Sequence, residues 1–260
     1  MSSCRMPKCC IMEKNNYRHG LYTILRNEAL TANVYRMVLE GDTGFITAPG
    51  QFVNIQLEGR FLRRPISICD WDAGTITLIY KVVGGGTRQM SAMPAGTVLD
   101  LLTGLGNGFD LKVERMQKPL LVGGGVGVPP LYGLAKKLLA EGFRPAVIMG
   151  FNTASEVFCL DEFKALGCQV LLAVADGSAG IKGFVTDALG LVEYDYLYAC
   201  GPEAMLRALY HGSAADGQFS FEQRMACGFG ACMGCSCKTI TGYKRICKDG
   251  PVMKKEEIIL

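Results

Sequence analysis

Pro119-Leu-Leu-Val122, followed by Gly123-Gly-Gly-Val-Gly-Val-Pro-Pro130, is the stretch that decides the fold. A short apolar run that ends in glycines and then opens a helical pattern, from Leu131 to Ala140, is typical of a strand–loop–helix unit in a parallel sheet. Backbone N–H groups at such a helix start favour a phosphate. The loop lacks G-x-G-x-x-G spacing, and the next strand ends Met149-Gly-Phe-Asn152 without an acidic residue for a ribose. By itself, the loop leaves a nucleotide site and an ordinary tight turn equally open.

The pattern after this loop alternates between strand and helix. Strands are predicted over residues 144–149, 169–174 and 194–199, with a helix over 157–166. Alternation at this spacing predicts βαβ units and an α/β domain over residues 116–216. Cys200-Gly201-Pro202 follows the last strand, where a ligand in the crevice of such a sheet would lie. A buried thiol and a helix-starting proline are the alternative, which this motif alone favours.

The chain before the loop has a different pattern. Short strands separated by glycine and proline are predicted over residues 34–39, 51–57, 75–83 and 97–102. Residues 17–115 are therefore predicted to form a small antiparallel β-barrel. Arg64-Pro-Ile-Ser67 lies near a strand end and Gly84-Gly-Gly86-Thr87 follows another strand, and both suit a diphosphate. Taken singly, the arginine motif is equally well explained as a surface charge, and the glycine motif as a hairpin turn.

A cysteine motif lies beyond the α/β domain, in residues 217–260. Cys227, Cys232 and Cys235 have C-x4-C-x2-C spacing, and Cys247 follows after eleven residues. This is the spacing of a plant-type [2Fe–2S] site. Zinc and a disulfide knot are the alternatives, but structural zinc prefers two separated pairs, and nothing indicates an oxidising compartment. Cys237 lies nearby and is predicted not to be a ligand, because the other three already fill the loop.

Composition sets limits on the function. The chain has 260 residues, 49% of them hydrophobic, which predicts roughly two domains and a small appendage. A net charge of +3 is too small to indicate nucleic acid or an anionic membrane as a partner. The sequence has no apolar run long enough to span a membrane and no recognisable signal peptide.

Cysteine usage predicts the compartment. Twelve cysteines without an export signal indicate a reducing cytoplasm. Four are assigned to the cluster, and Cys69, Cys159, Cys168 and Cys200 are predicted to be buried small hydrophobes. Residues 1–16 are predicted to be a disordered leader, with Cys4, Cys9 and Cys10 in it, rather than a second metal site.

The combination of a nucleotide fold and a cluster predicts a third cofactor. A nicotinamide delivers two electrons as a hydride, whereas a [2Fe–2S] cluster accepts one at a time. Flavin handles both steps, so the chain is predicted to bind a flavin on the barrel.

With these residues together, the chain resembles the ferredoxin reductase superfamily from Tyr17 onward. More narrowly, it resembles the electron-transfer subunits of class 1B dihydroorotate dehydrogenases. The segments that carry the resemblance are Arg63-Arg-Pro-Ile-Ser67, Gly86-Thr87, Asn107-Gly-Phe-Asp110, Gly123 to Pro130, Asp176-Gly-Ser178 with Ile181-Lys-Gly183, Cys200-Gly201, Met225 to Gly228, and Cys247 to Val252.

The resemblance implies a Greek-key FAD-binding barrel, an NAD-binding domain of ferredoxin-reductase type and a C-terminal [2Fe–2S] domain. It implies that electrons from dihydroorotate pass from the FMN of a separate catalytic subunit through the cluster and FAD to NAD, in a heterotetramer of two of each chain. The implied FAD contacts are Arg64, Pro65, Ile66, Ser67, Ile79, Tyr80, Lys81, Gly86 and Thr87. The implied NAD contacts are Gly123, Gly124, Gly125, Gly127, Cys200 and Gly201, and the cluster ligands are Cys227, Cys232, Cys235 and Cys247.

Two departures and two alternatives accompany the resemblance. Ile66 stands where the wider superfamily has an aromatic residue against the flavin, although the dihydroorotate branch also uses isoleucine, and Met253 replaces a frequent phenylalanine. The alternatives are a reductase subunit of another system, namely an oxygenase, a sulfide dehydrogenase or a bifurcating transhydrogenase, and a non-enzymatic flavin and cluster redox sensor. NAD is preferred over NADP because no arginine follows the second strand to meet a 2′-phosphate. Neither His19 nor His211 is predicted to be catalytic.

Overall fold

The computed structural model describes residues 17–260 and contains three sheets. The predictions for residues 1–16, including Cys4, Cys9 and Cys10, lie outside the described residues. The strands are β1 (Arg18–Ala29), β2 (Val34–Glu40), β3 (Phe52–Gln56), β4 (Arg64–Trp71), β5 (Thr75–Lys81), β6 (Val98–Leu105), β7 (Pro119–Gly124), β8 (Ala146–Phe151), β9 (Gln169–Val174), β10 (Ile181–Lys182), β11 (Tyr196–Cys200), β12 (Asp216–Ser220), β13 (Ser236–Thr239), β14 (Gly242–Arg245) and β15 (Val252–Lys254). The α-helices are α1 (Gly85–Ser91), α2 (Pro129–Ala140), α3 (Leu160–Ala165), α4 (Glu203–Gly212) and α5 (Ile246–Asp249).

The first six strands close into an antiparallel barrel in the order β1-β2-β5-β4-β3-β6. Alternation along β3 shows how the barrel uses its two faces. Val53 and Ile55 are fully buried in the core inside the barrel. Phe52, on the opposite face, packs instead with residues of the α/β domain and of residues 217–260, the cysteine-rich segment. The barrel is thus covered on one outer side by the rest of the chain.

The second sheet has seven strands in the order β10-β9-β8-β7-β11-β12-β15. All neighbouring pairs are parallel except β12 with β15. The chain moves outward from β7 through β8 and β9 to β10, then returns to place β11 on the other side of β7. The strand order therefore reverses between β7 and β11, and a ligand crevice is expected at their carboxyl ends.

The cysteine-rich segment consists of a loop, the β13–β14 hairpin, α5 and β15. Its last strand adds to the parallel sheet, where Phe219 pairs with Met253. The proposed boundary at 216/217 lies at the start of β12, which belongs to that same sheet. The segment is therefore joined to the α/β domain by main-chain hydrogen bonds as well as by sequence.

The predicted fold class is confirmed: barrel, parallel-sheet domain and C-terminal segment occur in that order. Two local predictions differ from the structure. The helix predicted over 157–166 spans only Leu160–Ala165, because Cys159 has left-handed backbone with φ 63°. Gly84 to Thr87 is not a hairpin turn, because α1 begins at Gly85. No helix within residues 17–260 is long and apolar enough to cross a membrane.

Candidate functional site: a phosphate cradle, a glycine crevice and a cysteine loop

The first part of the site lies where β4 meets the start of α1. The Arg64 guanidinium lies against Gly86, so closely that a Cβ at this glycine would lie 2.1 Å from Nε. Arg60 reaches the neighbouring Gly85 in the same way, with Nη2 3.0 Å from where its Cβ would be. Two guanidinium groups and bare glycine backbone thus form a cradle that suits a diphosphate, because arginine and backbone N–H groups are the usual donors to phosphate.

Pro65, Ile66 and Ser67 continue this site along β4. All three are half-buried, and they pair with Asn54, Val53 and Phe52 of β3 respectively. The backbone of β4 is therefore held rigidly by the barrel while its side chains remain partly accessible. This is what a strand that supports a flat ring requires.

The hydroxyl of Thr87 has a structural task. Its Oγ1 accepts hydrogen bonds from the N–H groups of Val83 at 3.0 Å and Gly84 at 3.2 Å, and the side chain is buried. The hydroxyl therefore shapes the turn that brings Gly86 to Arg64.

Ile79, Tyr80 and Lys81 occupy the end of β5, but they do not share a face. The Tyr80 side chain lies in the barrel core and its hydroxyl donates to Asn27 Oδ1 at 3.1 Å. Ile79 packs toward the α/β domain instead, and Lys81 lies 3.6 Å from Glu156. Burial raises the pKa of Tyr80, so its phenol stays protonated.

The second part of the site is a crevice formed by two glycine loops. Cys200 pairs with Gly123 across β11 and β7, so the two strand ends that carry these loops are adjacent. Gly127 packs directly against the loop that follows β11, because a Cβ there would lie 2.2 Å from the Cys200 carbonyl oxygen. Gly201, at φ 156°, lies beside Gly124: a Cβ there would lie 3.0 Å from Gly124 N and 2.6 Å from Met205 Cε. The structure thus brings together the six residues predicted for NAD, at the point where the strand order reverses.

Cys200 is a buried thiol within this crevice. Burial raises its pKa to about 12, against a smaller lowering effect of the hydrogen bond with Ser220. A thiol in this state is neither a nucleophile nor a metal ligand at neutral pH. Cys69, Cys159 and Cys168 are also buried, as predicted.

The third part of the site is the cysteine loop, where the four predicted ligands form two pairs. The Cys227 sulfur accepts from the Cys232 N–H at 3.4 Å, and the Cys235 sulfur accepts from the Cys247 N–H at 3.4 Å. Burial and then the neighbouring Cys235 raise the pKa of Cys247 to about 12, and charge on Cys227 adds to this, so the two pairs lie near each other. Because a [2Fe–2S] cluster has two irons with two protein ligands each, a two-plus-two arrangement fits it.

A single metal ion would need a different arrangement. Within residues 17–260, no three side chains of His, Cys, Asp or Glu gather closely enough to hold one ion. Cys237 lies on the β13–β14 hairpin, opposite Lys244.

Backbone donors prepare this loop for thiolates. Burial raises the pKa of Cys227, but N–H groups of Cys232, Phe229 and Ala231 outweigh it and bring the pKa to about 6. Left-handed backbone at Gly228, Gly230 and Met233 turns the loop so that its N–H groups face the sulfurs. At Gly228 and Gly230 the residue type permits this backbone, whereas at the third turn the positive φ belongs to Met233 and not to Gly234.

Sequence reasoning missed two contributors. Arg60 lies in a loop with no motif of its own. Arg245 donates to Gly230 O at 2.8 Å and binds the Asp249 carboxylate at 3.1 Å, so it ties the ligand loop to the turn that carries Cys247. The i,i+4 spacing of Arg245 and Asp249 is the one signal that the sequence held.

Comparisons with known proteins agree with this geometry. The sequence profile of the "Iron-sulfur cluster binding domain of dihydroorotate dehydrogenase B" matches residues 222–259. The chain is similar to the dihydroorotate dehydrogenase B (NAD(+)) electron transfer subunit of Fusobacterium nucleatum, with 43% identity over 91% of this chain and 96% of the relative. A Geobacillus protein with the same description is 42% identical over 92% of this chain and 97% of its own length.

Solved structures show the same architecture. The NADH-dependent reduced ferredoxin-NADP oxidoreductase of flavin-based electron bifurcation superposes with a TM-score of 0.84 at 30% identity, over 92% of this chain and 90% of that chain. A cytochrome P450 reductase from Amycolatopsis superposes with a TM-score of 0.67 at 22% identity, over 75% of this chain and 65% of that chain. The second match shows the fold alone.

Proposed function

The chain belongs to the family of electron transfer subunits of NAD(+)-dependent dihydroorotate dehydrogenase B, and on that premise we propose how its residues divide the work. It is an oxidoreductase subunit with FAD, a [2Fe–2S] cluster and NAD as its cofactors, and it works with a catalytic partner subunit. The resemblance in the sequence is thereby confirmed. When bound, FAD exchanges electrons singly and in pairs, the cluster exchanges them singly, and NAD takes a hydride.

The barrel supplies the FAD site. Arg64 and Arg60, which surround the backbone of Gly85 and Gly86, bind the diphosphate. The backbone of Pro65 to Ser67 supports the flavin ring on the partly exposed side of β4. Ile79 and Lys81 are placed to line the adenosine side, whereas Tyr80 contributes through its backbone because its side chain is in the barrel core.

The glycine crevice supplies the NAD site. Gly125 and Gly201 leave partly accessible backbone at the carboxyl ends of β7 and β11, where a dinucleotide approaches, while Gly123, Gly124 and Gly127 let the two loops pack closely. The raised pKa of Cys200 makes it a neutral wall of this site. The four paired cysteines hold the cluster.

The dihydroorotate chemistry is proposed to lie on the partner. His19 is bound to Asp100 on the barrel surface at 2.8 Å, and His211 packs against Tyr210, so each of the two histidines has a structural partner. The partner is proposed to carry FMN and to form a heterotetramer with two copies of each chain. The complex is proposed to act in the cytoplasm, in pyrimidine biosynthesis.

The observation that carries this proposal is the meeting of three cofactor sites on one chain, together with the family. The test is dihydroorotate-dependent reduction of NAD by protein purified anaerobically with its partner. NADH formation that is lost when the FMN-bearing partner is removed supports the proposal. A preparation that keeps FAD, cluster and partner and accepts electrons from NADH, yet forms no NADH from dihydroorotate, assigns the chain to another reductase system.

The ligand assignment has its own test, with a matched cysteine as control. The Cys232→Ser variant is expected to keep its FAD but to lose more than nine-tenths of the electron flow between NADH and the partner, because one iron loses a ligand. Cys237→Ser is expected to keep both. Undiminished transfer in Cys232→Ser, or an equal loss in Cys237→Ser, would contradict the assignment.

A further inference from the structure

Asn54 is a buried polar residue on the outer face of the barrel. It lies in β3 between Val53 and Ile55, which face the barrel core, and it is 1% exposed. Its side chain therefore points away from that core, like Phe52, toward the cysteine-rich segment. No motif in the sequence singled it out.

The Asn54 side chain contacts the first cluster ligand. Its Nδ2 donates to the Cys227 carbonyl oxygen at 3.1 Å, across 173 residues of sequence. Gly228 packs on the same amide: a Cβ at this position would lie 2.3 Å from Nδ2. The start of the ligand loop is thus seated on one asparagine of the barrel.

The same asparagine is tied to the strand proposed to support the flavin. Asn54 pairs with Pro65 of β4. Arg63, next to the diphosphate residue Arg64, donates to the Asn54 carbonyl oxygen at 3.3 Å and lies 2.7 Å from the Asp100 carboxylate. One residue therefore connects the β4 backbone to the backbone of Cys227.

Stability alone does not explain an amide at this position. Among the described residues, Oδ1 of Asn54 is buried without a hydrogen-bond partner, which is unfavourable for folding. Asn107 makes the contrast clear, because its Nδ2 donates to Val252 O at 2.6 Å and its Oδ1 accepts from Val252 N at 3.1 Å. Both the nitrogen and the oxygen of the Asn107 side chain thus have hydrogen-bond partners. In Asn54 the nitrogen has one, whereas the buried oxygen has none among the described residues.

We propose that Asn54 is a positioning residue that fixes the Cys227 end of the cluster loop against the flavin strand and so sets the rate and potential of electron exchange between the two cofactors. The inference rests on the proposed assignment of both cofactor sites. The donor at the Cys227 carbonyl also stabilises the more negative, reduced cluster, since hydrogen bonds around the ligands tune cluster potentials.

The test compares Asn54→Leu with Gln56→Leu in the complex with the partner subunit. Gln56 lies two residues further on the same strand, but within residues 17–260 its amide bonds only to Leu57 O and Arg60 O. Asn54→Leu is expected to keep FAD and to be reduced by NADH at the wild-type rate. Its cluster is expected to be reduced at least fivefold more slowly. The cluster potential is expected to fall by about 28 mV, which is a threefold shift at 59 mV per tenfold. Its electron paramagnetic resonance spectrum should also change, and Gln56→Leu should match wild type throughout.

Each other outcome is decisive. A wild-type cluster rate, potential and spectrum in Asn54→Leu overturns the inference, and so do equal shifts in Gln56→Leu. If Asn54→Leu loses iron, the same measurements are made on Asn54→Ala, because its side chain adds no bulk against Gly228. Iron loss from both Asn54 variants but not from Gln56→Leu supports a holding role, and iron loss from all three overturns it. A wild-type complex that passes no electrons from NADH to the cluster instead refutes the proposed function.

Discussion

This chain has two Cys-Gly pairs, Cys200-Gly201 and Cys227-Gly228, and the pKa values of their thiols are shifted in opposite directions. Burial raises the pKa of Cys200 to about 12. Cys227 is less buried, and backbone N–H donors bring its pKa to about 6. The two thiols have the same neighbour in sequence, so the surrounding backbone, and not the dipeptide, decides which one is suited to bind a metal.

The glycines of the two regions differ in the same way. In the glycine crevice, Gly127 provides room for the Cys200 carbonyl, so what matters is the missing side chain. In the cysteine loop, Gly228 has φ 76°, so what matters first is the left-handed backbone. The crevice is a close contact between two loops, and the cysteine loop is a turn that aims N–H groups at sulfur.

The largest expected effect separates these two uses of glycine. Gly127→Ala is expected to destabilise the protein by about 3 kcal/mol, because its Cβ meets backbone that cannot move without disturbing β11. Gly228→Ala is expected to cost about 1–2 kcal/mol from its left-handed backbone, and to release iron. Thermal unfolding and iron content measure the two effects.

The expected pattern is a lower melting temperature with iron retained in folded Gly127→Ala, and iron loss with intact FAD binding in Gly228→Ala. Iron loss of equal size in both variants would show that the two regions are not independent. Gly142→Ala, at an exposed glycine with left-handed φ and open space around it, is the control for backbone strain alone.

The second prediction concerns the ion pair of Arg245 and Asp249, which connects the cysteine loop to the turn that carries Cys247. Arg245 and Asp249 form an i,i+4 pair that also reaches Gly230 O, and Arg207 and Glu203 form an exposed i,i+4 pair on α4. Asp249→Asn is expected to cost about 1 kcal/mol, because it also weakens the bond to the Arg245 N–H. Glu203→Gln is expected to cost less than about 0.5 kcal/mol.

The rate of iron release to a chelator measures how firmly each protein holds its cysteine loop. Asp249→Asn is expected to release iron several times faster than wild type, and Glu203→Gln at the wild-type rate. Equal release rates in all three proteins would mean that Arg245 does not hold the ligand loop through Asp249.

The sequence predicted these two regions to different depths. The cysteine spacing was sufficient to choose four candidate ligands, because such loops have a local geometry that spacing encodes. The grouping of Cys227 with Cys232 and of Cys235 with Cys247 depends on where α5 packs, so spacing does not reveal it. For the glycine crevice, the motifs left a tight turn equally open, because the contact of Gly127 with Cys200 joins loops 73 residues apart in the chain.

Two of the residues that sequence reasoning missed share one property. Asn54 and Arg60 act through partners distant in the chain, and their own neighbours form no motif. Tyr80 was placed correctly on its strand, but the direction of its side chain follows from the register of β5 with β2. Strand existence can be predicted from alternation, whereas the face that meets a cofactor depends on closure of the whole barrel.

The last prediction tests the Cys200 side of the comparison through pH, and at pH 7 its effect is small. Because the folded pKa of Cys200 is about 12 and that of an unfolded thiol is about 8.5, the unfolded state loses its proton first as pH rises. The stability that the buried neutral thiol contributes is therefore complete below pH 8.5 and is lost progressively toward pH 12, by about 2 kcal/mol at pH 10. Cys200→Ala is expected to be about 1 kcal/mol less stable than wild type at pH 7, from the lost packing, and to lack this alkaline loss. The difference in unfolding free energy between the two proteins should thus change sign near pH 9 and be reversed at pH 10, which denaturant titrations at pH 7, 9 and 10 measure. A difference that stays constant with pH would mean that Cys200 is not held neutral, and the contrast with Cys227 would then rest on the cysteine loop alone.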